Sequence, residues 1–201
     1  MQMIAATKNK GKIKEIEKIF GDLGINVITA DDAGIDVDVE ETGASFLENS
    51  LIKARAISMF CDEIVLADDS GLCVEALGGM PGVHSARYAG ENATDEDRIK
   101  KLLGEMEGVE DRRAKFVTSV AVIFPDGKEI TAMGEVNGTI LNEPQGNNGF
   151  GYDPVFFCDE LNKSFAMATD DEKNSISHRS RALKTMYEKI KEYLNIHEEK
   201  I

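Results

Sequence analysis

Short apolar runs alternate along the chain with segments whose apolar residues recur every three or four positions. Residues 3–6 and 25–29 have the compact apolar composition of buried strands. The segment between them has the spacing of an amphipathic helix. Its apolar residues on one helical face are Ile13, Ile16, Phe20 and Leu23. A strand, a helix and a second strand are therefore predicted at the start of the chain.

Polar residues predict where two further helices begin. Ser45 and Glu48 have the spacing of a capping box in front of a helix that runs to about Phe60. Thr94 and Asp97 repeat that spacing before a second helix. Apolar residues on one face of this second helix are Ile99, Leu102, Leu103 and Met106.

Three more segments predict strands, and a last one predicts a helix. Residues 63–67 form an apolar strand that ends at two aspartates, and residues 115–124 and 128–140 are also rich in strand formers. The turn residues 125–127 (Pro-Asp-Gly) join the last two strands as a hairpin. The final helix has Leu183, Met186, Ile190 and Tyr193 on one face. We expect an α/β fold with a long mixed β-sheet flanked by helices.

Composition indicates a soluble, cytoplasmic protein. The length of 201 residues suits one large domain or two small lobes, and we expect a single domain over residues 1–201. Hydrophobic residues make up 42% and charged residues 30% of the chain. No apolar run approaches the roughly 20 residues that span a membrane. The first residues lack the pattern of a signal peptide. The three cysteines form no CxxC pair, so we expect free thiols rather than a zinc site or a disulfide.

Net charge argues against nucleic acid as a partner. The chain carries 37 acidic and 23 basic residues, and its net charge is −14. A nucleic-acid-binding protein gains most of its affinity from a basic face that neutralises phosphates. A small phosphorylated ligand would therefore need a local basic pocket or a divalent metal ion.

The segment between the first strand and the first helix is a candidate phosphate-binding loop. It reads Thr7-Lys8-Asn9-Lys10-Gly11-Lys12. The N-terminus of a helix favours an anion through its backbone N–H groups and its dipole. Thr7 and Asn9 could donate hydrogen bonds to phosphate oxygens, and Lys12 supplies full charge. An ordinary solvated turn is the alternative for this composition.

The sequence Asp68-Asp69-Ser70-Gly71 follows the apolar strand at residues 63–67. Ligands of open α/β sheets bind beyond the carboxyl ends of strands. Adjacent aspartates repel each other unless a cation compensates, and Mg²⁺ prefers one or two carboxylates together with phosphates and water. A surface turn is the alternative, because the same residues favour turns.

Acidic and polar residues near residue 45 could serve the same metal. Glu41 precedes the capped helix and could supply a second carboxylate, or it could merely favour the helix N-terminus. Asn49 and Lys53 are four residues apart on that helix and share a face. They could point into a cleft or into solvent.

Two further segments carry candidate binding residues. Residues 146–154 contain three glycines with Phe150, Tyr152 and Asp153, a composition suited to close backbone approach and to stacking of a base on a ring. Lys173 and the pair His178-Arg179 lie at the start of the final helix. Surface residues are the alternative for that pair.

Taken in order, these segments resemble the inosine triphosphate pyrophosphatase family, also described as dITP/XTP pyrophosphatases. The resemblance covers almost the whole chain. It is carried by residues 7–12 (TKNKGK), 41–56 (ETGASFLENSLIKARA), 67–90 (ADDSGLCVEALGGMPGVHSARYAG), 149–157 (GFGYDPVFF) and 177–184 (SHRSRALK).

The resemblance implies a mechanism as well as a fold. It implies two lobes around a central active-site cleft, a homodimer, and cleavage of purine triphosphates between the α- and β-phosphates. Asp69 would be the catalytic carboxylate and a Mg²⁺ ligand, and Glu41 would help to hold the metal. The residues implied to bind phosphates are Thr7, Lys8, Asn9, Lys10, Gly11, Lys12 and Ser70. The residues implied to form the nucleoside pocket are Phe150, Gly151, Tyr152, Asp153, Lys173, His178 and Arg179.

Two other functions compete with this reading. One is a pyrophosphatase for modified pyrimidine or methylated nucleotides, which the base-facing residues would distinguish. The other is a nucleotide-binding module without turnover. Asp69 and Glu41 argue against the second, because binding alone does not need a carboxylate that activates water.

Overall fold

Seven strands and five α-helices make up the described part of the protein. This computed structural model describes residues 1–198, without the side chains of Lys10 and of residues 196–198. The strands are β1 (Gln2–Ala5), β2 (Asn26–Thr29), β3 (Ile64–Val74), β4 (Arg113–Ile123), β5 (Glu129–Ile140), β6 (Phe156–Cys158) and β7 (Lys163–Ser164). The helices are α1 (Lys10–Phe20), α2 (Phe46–Ser58), α3 (Asp95–Glu105), α4 (Asp170–Ile176) and α5 (His178–Glu198).

All seven strands belong to one mixed sheet, in the order β2-β1-β3-β4-β5-β6-β7. β1 is parallel to both of its neighbours, so that Met3 lies opposite Val27 of β2 and Ile64 of β3. β6 is antiparallel to both β5 and β7. The predicted α/β fold with a mixed sheet is therefore confirmed.

The residues group into two compact units. The first unit contains Met1–Asp69, Thr118–Gly134 and Arg179–Ile201, and the second contains Ser70–Val117 and Glu135–His178. β3, β4 and β5 are long strands, and each contributes residues to both units.

In the first unit, successive strand residues enter two different apolar clusters. Met3 and Ala5 of β1 pack in the cluster that contains residues of α1 and α5, whereas Ile4 packs in the cluster that contains residues of α2. Side chains of a strand point alternately to the two faces of the sheet. Both faces are therefore covered by apolar groups, which explains the continuous apolar runs in the sequence.

The second unit is built around one apolar cluster rich in aromatic rings. The ring of Phe156 lies 4.6 Å from that of Phe116 and 5.1 Å from that of Phe165, measured between centroids. Leu102 and Met106, from the predicted face of α3 and its C-cap, join this cluster. The spacing of apolar residues thus identified the buried face of α3.

Side-chain caps begin α2 and α3 where the sequence predicts them. The hydroxyl of Thr94 accepts from the N–H of Asp97, whose carboxylate accepts from the N–H of Thr94 in return. The hydroxyl of Ser45 accepts from the N–H of Glu48 at 3.2 Å. The carboxylate of Glu48, however, accepts from the N–H of Ala44 at 2.6 Å, so this box is shifted by one residue.

The third strand is longer than its apolar run predicts. The expectation that it ends at the aspartates is wrong, because β3 continues through Asp68 and Asp69 to Val74. β1 does stop, at Ala5, which lies opposite Leu66. The aspartates therefore lie just beyond the end of the neighbouring strand, while their own strand continues.

Three short elements have no counterpart in the sequence predictions. β6 and β7 are three and two residues long, too short to show a period. α4 has seven residues and begins at a capping box formed by Thr169 and Glu172. That spacing is visible in the sequence and could have located α4.

Two expectations from composition can be compared with the structure. The three cysteines are free thiols, as predicted. Among residues 1–198, no helix has the length and apolar character needed to cross a membrane.

Replacing Phe156 by alanine should destabilise the protein strongly. Its side chain is fully buried between two other aromatic rings, and loss of such a ring costs about 3–5 kcal/mol. Phe60→Ala is the matched control, because Phe60 is 62% exposed and should change stability by less than about 0.5 kcal/mol. Urea unfolding measures both free energies of unfolding, and equal losses would contradict the packing described here.

Candidate functional site

Strand geometry sends the two adjacent aspartates of β3 to opposite faces of the sheet. Leu66 packs in the cluster with α1 and α5, whereas Ala67 packs in the cluster with α2. The alternation continues through the next two residues. Asp68 contacts Lys12 of α1, and Asp69 contacts the side chain of an α2 residue. Their adjacency in the sequence suggests one acidic pair, but the two carboxylates lie on opposite faces of the sheet and do not form one.

Asp68 lies at the centre of a buried ion cluster. Its Oδ2 is 2.8 Å from Lys12 Nζ and 3.5 Å from Arg179 Nε, and only 2% of its side chain is exposed. Arg179 also lies 3.7 Å from Glu15, one helical turn beyond Lys12 on α1. Burial by itself would raise the pKa of Asp68, but the charges of Lys12 and Arg179 outweigh it and hold that pKa well below its usual range. Asp68 is therefore a permanent anion that holds two cations.

Asp69 is held by a buried amide on α2. The Nδ2 of Asn49 donates to Asp69 Oδ2 at 3.0 Å, and Asn49 is fully buried. The Oδ1 of Asn49 accepts from the N–H of Gly43 at 2.8 Å. A Cβ on Gly43 would lie 2.7 Å from that Oδ1, so only glycine allows this approach. The side-chain amide of Asn49 thus connects the carboxylate of Asp69 to the loop that precedes α2.

Lys53 places a third cation beside the same stretch of β3. Its Nζ lies 2.7 Å from the carboxylate of Glu41 and donates to the backbone carbonyl of Asp68 at 2.6 Å. Because β1 ends opposite Leu66, this carbonyl lies beyond the last residue pair of β1 and β3. Asn49 and Lys53 therefore point toward the aspartates rather than into solvent.

The predicted phosphate loop is ordered around Asn9. The amide oxygen of Asn9 caps α1 by accepting from the N–H groups of Gly11 and Lys12 at 2.9 and 3.4 Å. The Oγ1 of Thr7 accepts from the N–H of Asn9 at 3.2 Å. These contacts use backbone N–H groups that the sequence predicts to bind an anion. The N–H groups of Asn9, Gly11 and Lys12 are therefore bound within the loop itself.

The lysines of this loop differ in their surroundings. Lys12 is mostly buried beside Asp68, as described above. The side chain of Lys8 is 78% exposed and lies 3.4 Å from Asp31. The side chain of Lys10 falls outside the described part of the structure.

The carboxylates around α2 suit a hard divalent cation. Among the described residues, no group of three His, Cys, Asp or Glu side chains could hold a metal ion. Mg²⁺ does not require such a group, because it takes one or two carboxylates together with phosphate oxygens and water. Asp69 and Glu41 supply oxygen ligands only, and Asn49 links the segments that carry them. This donor set fits Mg²⁺ better than zinc.

A second group of predicted residues lies in the other unit. Asp153 is buried, forms an ion pair with Lys173 Nζ, and accepts from the N–H of Phe150 at 2.9 Å. The ring of Phe150 is 54% exposed, and Lys173 Nζ lies 4.8 Å from its centroid. An exposed ring can stack on a base, and an ammonium group fixed beside the ring can donate a hydrogen bond to that base.

Two other predicted residues of this loop, Gly151 and Tyr152, form contacts within the protein, and Ser70 lies on β3. The hydroxyl of Tyr152 is buried and donates to the carbonyl of Ser85 at 2.9 Å, so Tyr152 supports the fold of the loop. The N–H of Gly151 donates to Asp95 at 2.6 Å. Ser70 follows Asp69 on β3 and is the first, half-buried residue of the second unit.

His178 and Arg179 are adjacent in sequence but have different surroundings. The ring of His178 stacks on Phe116 with centroids 4.8 Å apart and an angle of 12° between planes. Arg179 belongs to the ion cluster of Asp68. Both side chains are buried, so neither is the solvated surface residue of the alternative reading.

Three contributing residues escaped the sequence predictions. Glu15, Phe116 and Asp95 contact Arg179, His178 and Gly151, respectively. Glu15 could have been found, since it lies three positions after Lys12 and shares its helix face. Phe116 and Asp95 could not, because they come from strands and helices far away in sequence.

Comparisons with known proteins agree with this picture. A model of the Ham1 family matches residues 3–189. The dITP/XTP pyrophosphatase of Clostridium perfringens is 46% identical over 198 residues, which is 94% of this chain and 97% of that protein. The dITP/XTP pyrophosphatase of Thermoanaerobacter sp. (strain X514) is 50% identical over 196 residues, which is 96% of each protein.

Solved structures extend the similarity to the fold. The Staphylococcus aureus Ham1 protein superposes with a TM-score of 0.90 at 41% identity, over 96% of this chain and 100% of that one. A nucleoside-triphosphatase, or dITP/XTP pyrophosphatase, from Mycobacterium abscessus has a TM-score of 0.79 at 38% identity, over 92% and 97% of the two chains. With its sequence and fold both matched over nearly their whole length, the chain belongs to the Ham1 family.

Proposed function

We propose that this protein hydrolyses non-standard purine nucleoside triphosphates, such as those of inosine, deoxyinosine and xanthosine, to the monophosphate and pyrophosphate. One observation carries the proposal. Lys12 and Arg179 contact the buried carboxylate of Asp68, and Lys53 donates to the backbone carbonyl of the same residue, in a chain whose net charge is −14. Relatives that are 46% and 50% identical and named dITP/XTP pyrophosphatase support the substrate class.

The three cations, together with a bound Mg²⁺, would supply the positive charge that a triphosphate needs. A triphosphate enters with several negative charges, and more charge develops on pyrophosphate as it leaves. Lys12 and Lys53 would neutralise that charge from fixed positions, because Asp68 and Glu41 already hold them. Thr7, Lys8, Asn9, Lys10, Gly11, Lys12 and Ser70 form the proposed phosphate-binding set. Preorganised cations lower the barrier without reorganising during the reaction.

Asp69 is the proposed catalytic carboxylate. It would orient and deprotonate the water that attacks phosphorus, and Asn49 fixes the carboxylate for that task. Asp69 and Glu41 would also hold Mg²⁺. The metal, when bound, supplies charge that stabilises the transferring phosphoryl oxygens.

The second unit supplies all of the proposed base-binding residues except Arg179, which belongs to the first unit. Phe150 would stack on the purine, with Gly151, Tyr152 and Asp153 keeping its loop in shape. Lys173, His178 and Arg179 are the proposed hydrogen-bond donors to the 6-keto oxygen, which adenine lacks. A donor that faces the amine of adenine stays unpaired, and sites built on such bonds discriminate strongly.

The full chain is proposed to act as one pyrophosphatase domain, in the cytoplasm and as a homodimer. The family match over residues 3–189 supports a single functional domain, since it spans both units. Light scattering on the purified protein measures the oligomeric state. A mass near 22.0 kDa, that of one chain, would contradict the dimer.

Pyrophosphate release from a panel of nucleotides tests the activity. Triphosphates of inosine, deoxyinosine and xanthosine should release pyrophosphate with Mg²⁺ and not with a chelator. Adenosine triphosphate should be a poor substrate. Release from modified pyrimidine or methylated nucleotides alone would support a different pyrophosphatase, and binding without release would support a nucleotide-binding module.

Asp69→Asn should abolish turnover while it leaves folding and nucleotide binding largely intact. Asparagine keeps the shape and can still contact Asn49, but it removes the charge that orients water and metal. We expect kcat to fall below about a tenth of the wild-type value, which corresponds to a rise of more than roughly 1.4 kcal/mol in the activation free energy. Asp159→Asn, at an exposed position, is the control. Turnover above that level in Asp69→Asn would show that another group activates the water.

Lys12→Ala should weaken the triphosphate far more than the nucleoside. Calorimetry in an Asp69→Asn background avoids turnover and compares inosine triphosphate with inosine. We expect at least about a tenfold loss for the triphosphate, equal to roughly 1.4 kcal/mol, and little change for inosine. Lys8→Ala is the control, because Lys8 is 78% exposed. Equal losses for both ligands would remove Lys12 from the phosphate site.

Arg179→Ala should reduce selectivity for the keto base. The ratio of kcat/KM for inosine triphosphate over adenosine triphosphate should fall about tenfold, because one donor to the 6-keto oxygen is lost. Arg179→Lys keeps the positive charge beside Asp68 but lacks the planar fork of donors. Two results would show that Arg179 acts through the Asp68 cluster instead. One is wild-type selectivity in Arg179→Lys, and the other is an equal fall of kcat/KM for both substrates in Arg179→Ala.

A further inference from the structure

Two carboxylates hold the peptide groups on either side of Phe150. The N–H of Phe150 donates to Asp153 Oδ2 at 2.9 Å, and the next N–H, that of Gly151, donates to Asp95 Oδ2 at 2.6 Å. Asp153 is three residues further along the same loop, whereas Asp95 is 56 residues away at the start of α3. The side chain of Asp95 therefore attaches the N–H of Gly151 to α3, while Asp153 attaches the N–H of Phe150 and is itself paired with Lys173 of α4.

This attachment controls the direction of the ring. The orientations of the two peptide groups around Phe150 fix both of its backbone dihedral angles, and these angles set where the side chain points. Residues 143–150 are all exposed, and the bonds that hold Asn148, to the carbonyls of Ala166 and Ala168, lie before the two peptide groups that flank Phe150. Gly149 and Gly151 have φ of +78° and +61°, a region that glycine enters readily, so the residues on either side of Phe150 have no side chain that could fix its direction.

Asp95 is itself firmly held. Its Oδ1 forms an ion pair with Arg98, one turn along α3. Arg98 in turn donates to the backbone carbonyls of Ala86 and Ala93, at 2.6 and 3.0 Å. Burial would raise the pKa of Asp95, but its bonds to Arg98 and to Gly151 outweigh this and lower it. At neutral pH the group that holds Gly151 is therefore an anion, and charged acceptors make the stronger hydrogen bonds.

We propose that Asp95 is a positioning residue for base recognition, which directs the ring of Phe150 and keeps it beside Lys173. The proposal rests on the proposed function only for the identity of the ligand. Lys173 Nζ lies 4.8 Å from the Phe150 centroid and is fixed by Asp153, so a displaced loop would separate the stacking ring from the fixed ammonium group. The carboxylate of Asp95 binds Arg98 and the N–H of Gly151, both in the second unit, and its loss should change binding of the base rather than the chemical step.

Steady-state kinetics with inosine triphosphate compare Asp95→Ala with two matched variants. Asp95→Ala should raise KM about tenfold, equivalent to roughly 1.4 kcal/mol, with kcat within about twofold. Asp95→Asn keeps an oxygen acceptor for the N–H of Gly151 and should recover most of the KM. Asp97→Ala removes an acid from the same helical turn whose contacts are to Thr94, and it should keep the wild-type KM.

A fluorescence measurement tests the attachment without activity. The chain contains no tryptophan, so Phe150→Trp introduces a single reporter at the ring in question. Time-resolved anisotropy should show a larger fast component when Asp95→Ala is added, and no increase with Asp95→Asn or Asp97→Ala. This readout is unaffected if the protein acts on a different nucleotide.

The outcomes separate the two proposals. A wild-type protein that releases no pyrophosphate from purine triphosphates would overturn the proposed function, while the anisotropy would still decide the role of Asp95. Unchanged anisotropy and KM in Asp95→Ala, or equal changes in Asp97→Ala, would overturn the positioning role. If Asp95→Ala does not fold, amide exchange of Gly151 in the wild-type protein decides: protection supports the attachment, and exchange at the rate of an open loop contradicts it.

Discussion

The alternation of side chains along β3 is the constraint on which the rest of the first unit depends. A strand that runs on past its apolar residues must send Asp68 and Asp69 to opposite faces of the sheet. One carboxylate then meets α1 and α5, and the other meets α2. A single residue inserted before Asp68 would exchange the two positions, and each carboxylate would face the partners of the other.

Burial of charge on both faces is tolerated because each carboxylate has its own partners. Asp68 is paired with Lys12 and Arg179, and a buried charge without such partners would cost several kcal/mol. Asp69 accepts a hydrogen bond from the neutral amide of Asn49. Thus one aspartate binds two cations, and its neighbour on the opposite face binds a buried amide. The strongly acidic composition of the chain makes this local concentration of cations more informative than it would be in a basic protein.

In the second unit the constraint is different, because an exposed aromatic ring has to be held in one direction. Phe150 cannot be fixed by packing, because more than half of its surface is exposed. Its flanking N–H groups are bound instead by Asp153 and Asp95. His178 reaches the same end by another route, since its ring lies flat against Phe116 in the aromatic core. Carboxylates in this protein thus serve both as partners of buried cations and as acceptors that shape a loop.

Much of the fold was determined by the sequence itself, because short-range physics governs it. Apolar spacing located α1, α3 and α5, and the hairpin turn located β4 and β5. Lys12 and Asp69 were candidates from the sequence, and Asn49 was left open between a cleft and solvent; in the structure Asn49 contacts Asp69, whereas Lys12 contacts Asp68. Sequence alone could not decide that β3 continues through its aspartates, because residues that favour a turn can also lie in a strand whose neighbours supply the hydrogen bonds. It could not reveal Asp95 either, since the contact with Gly151 joins residues 56 positions apart and leaves no trace in either local pattern. Such long-range contacts depend on how helices and strands pack, and only the tertiary structure decides them.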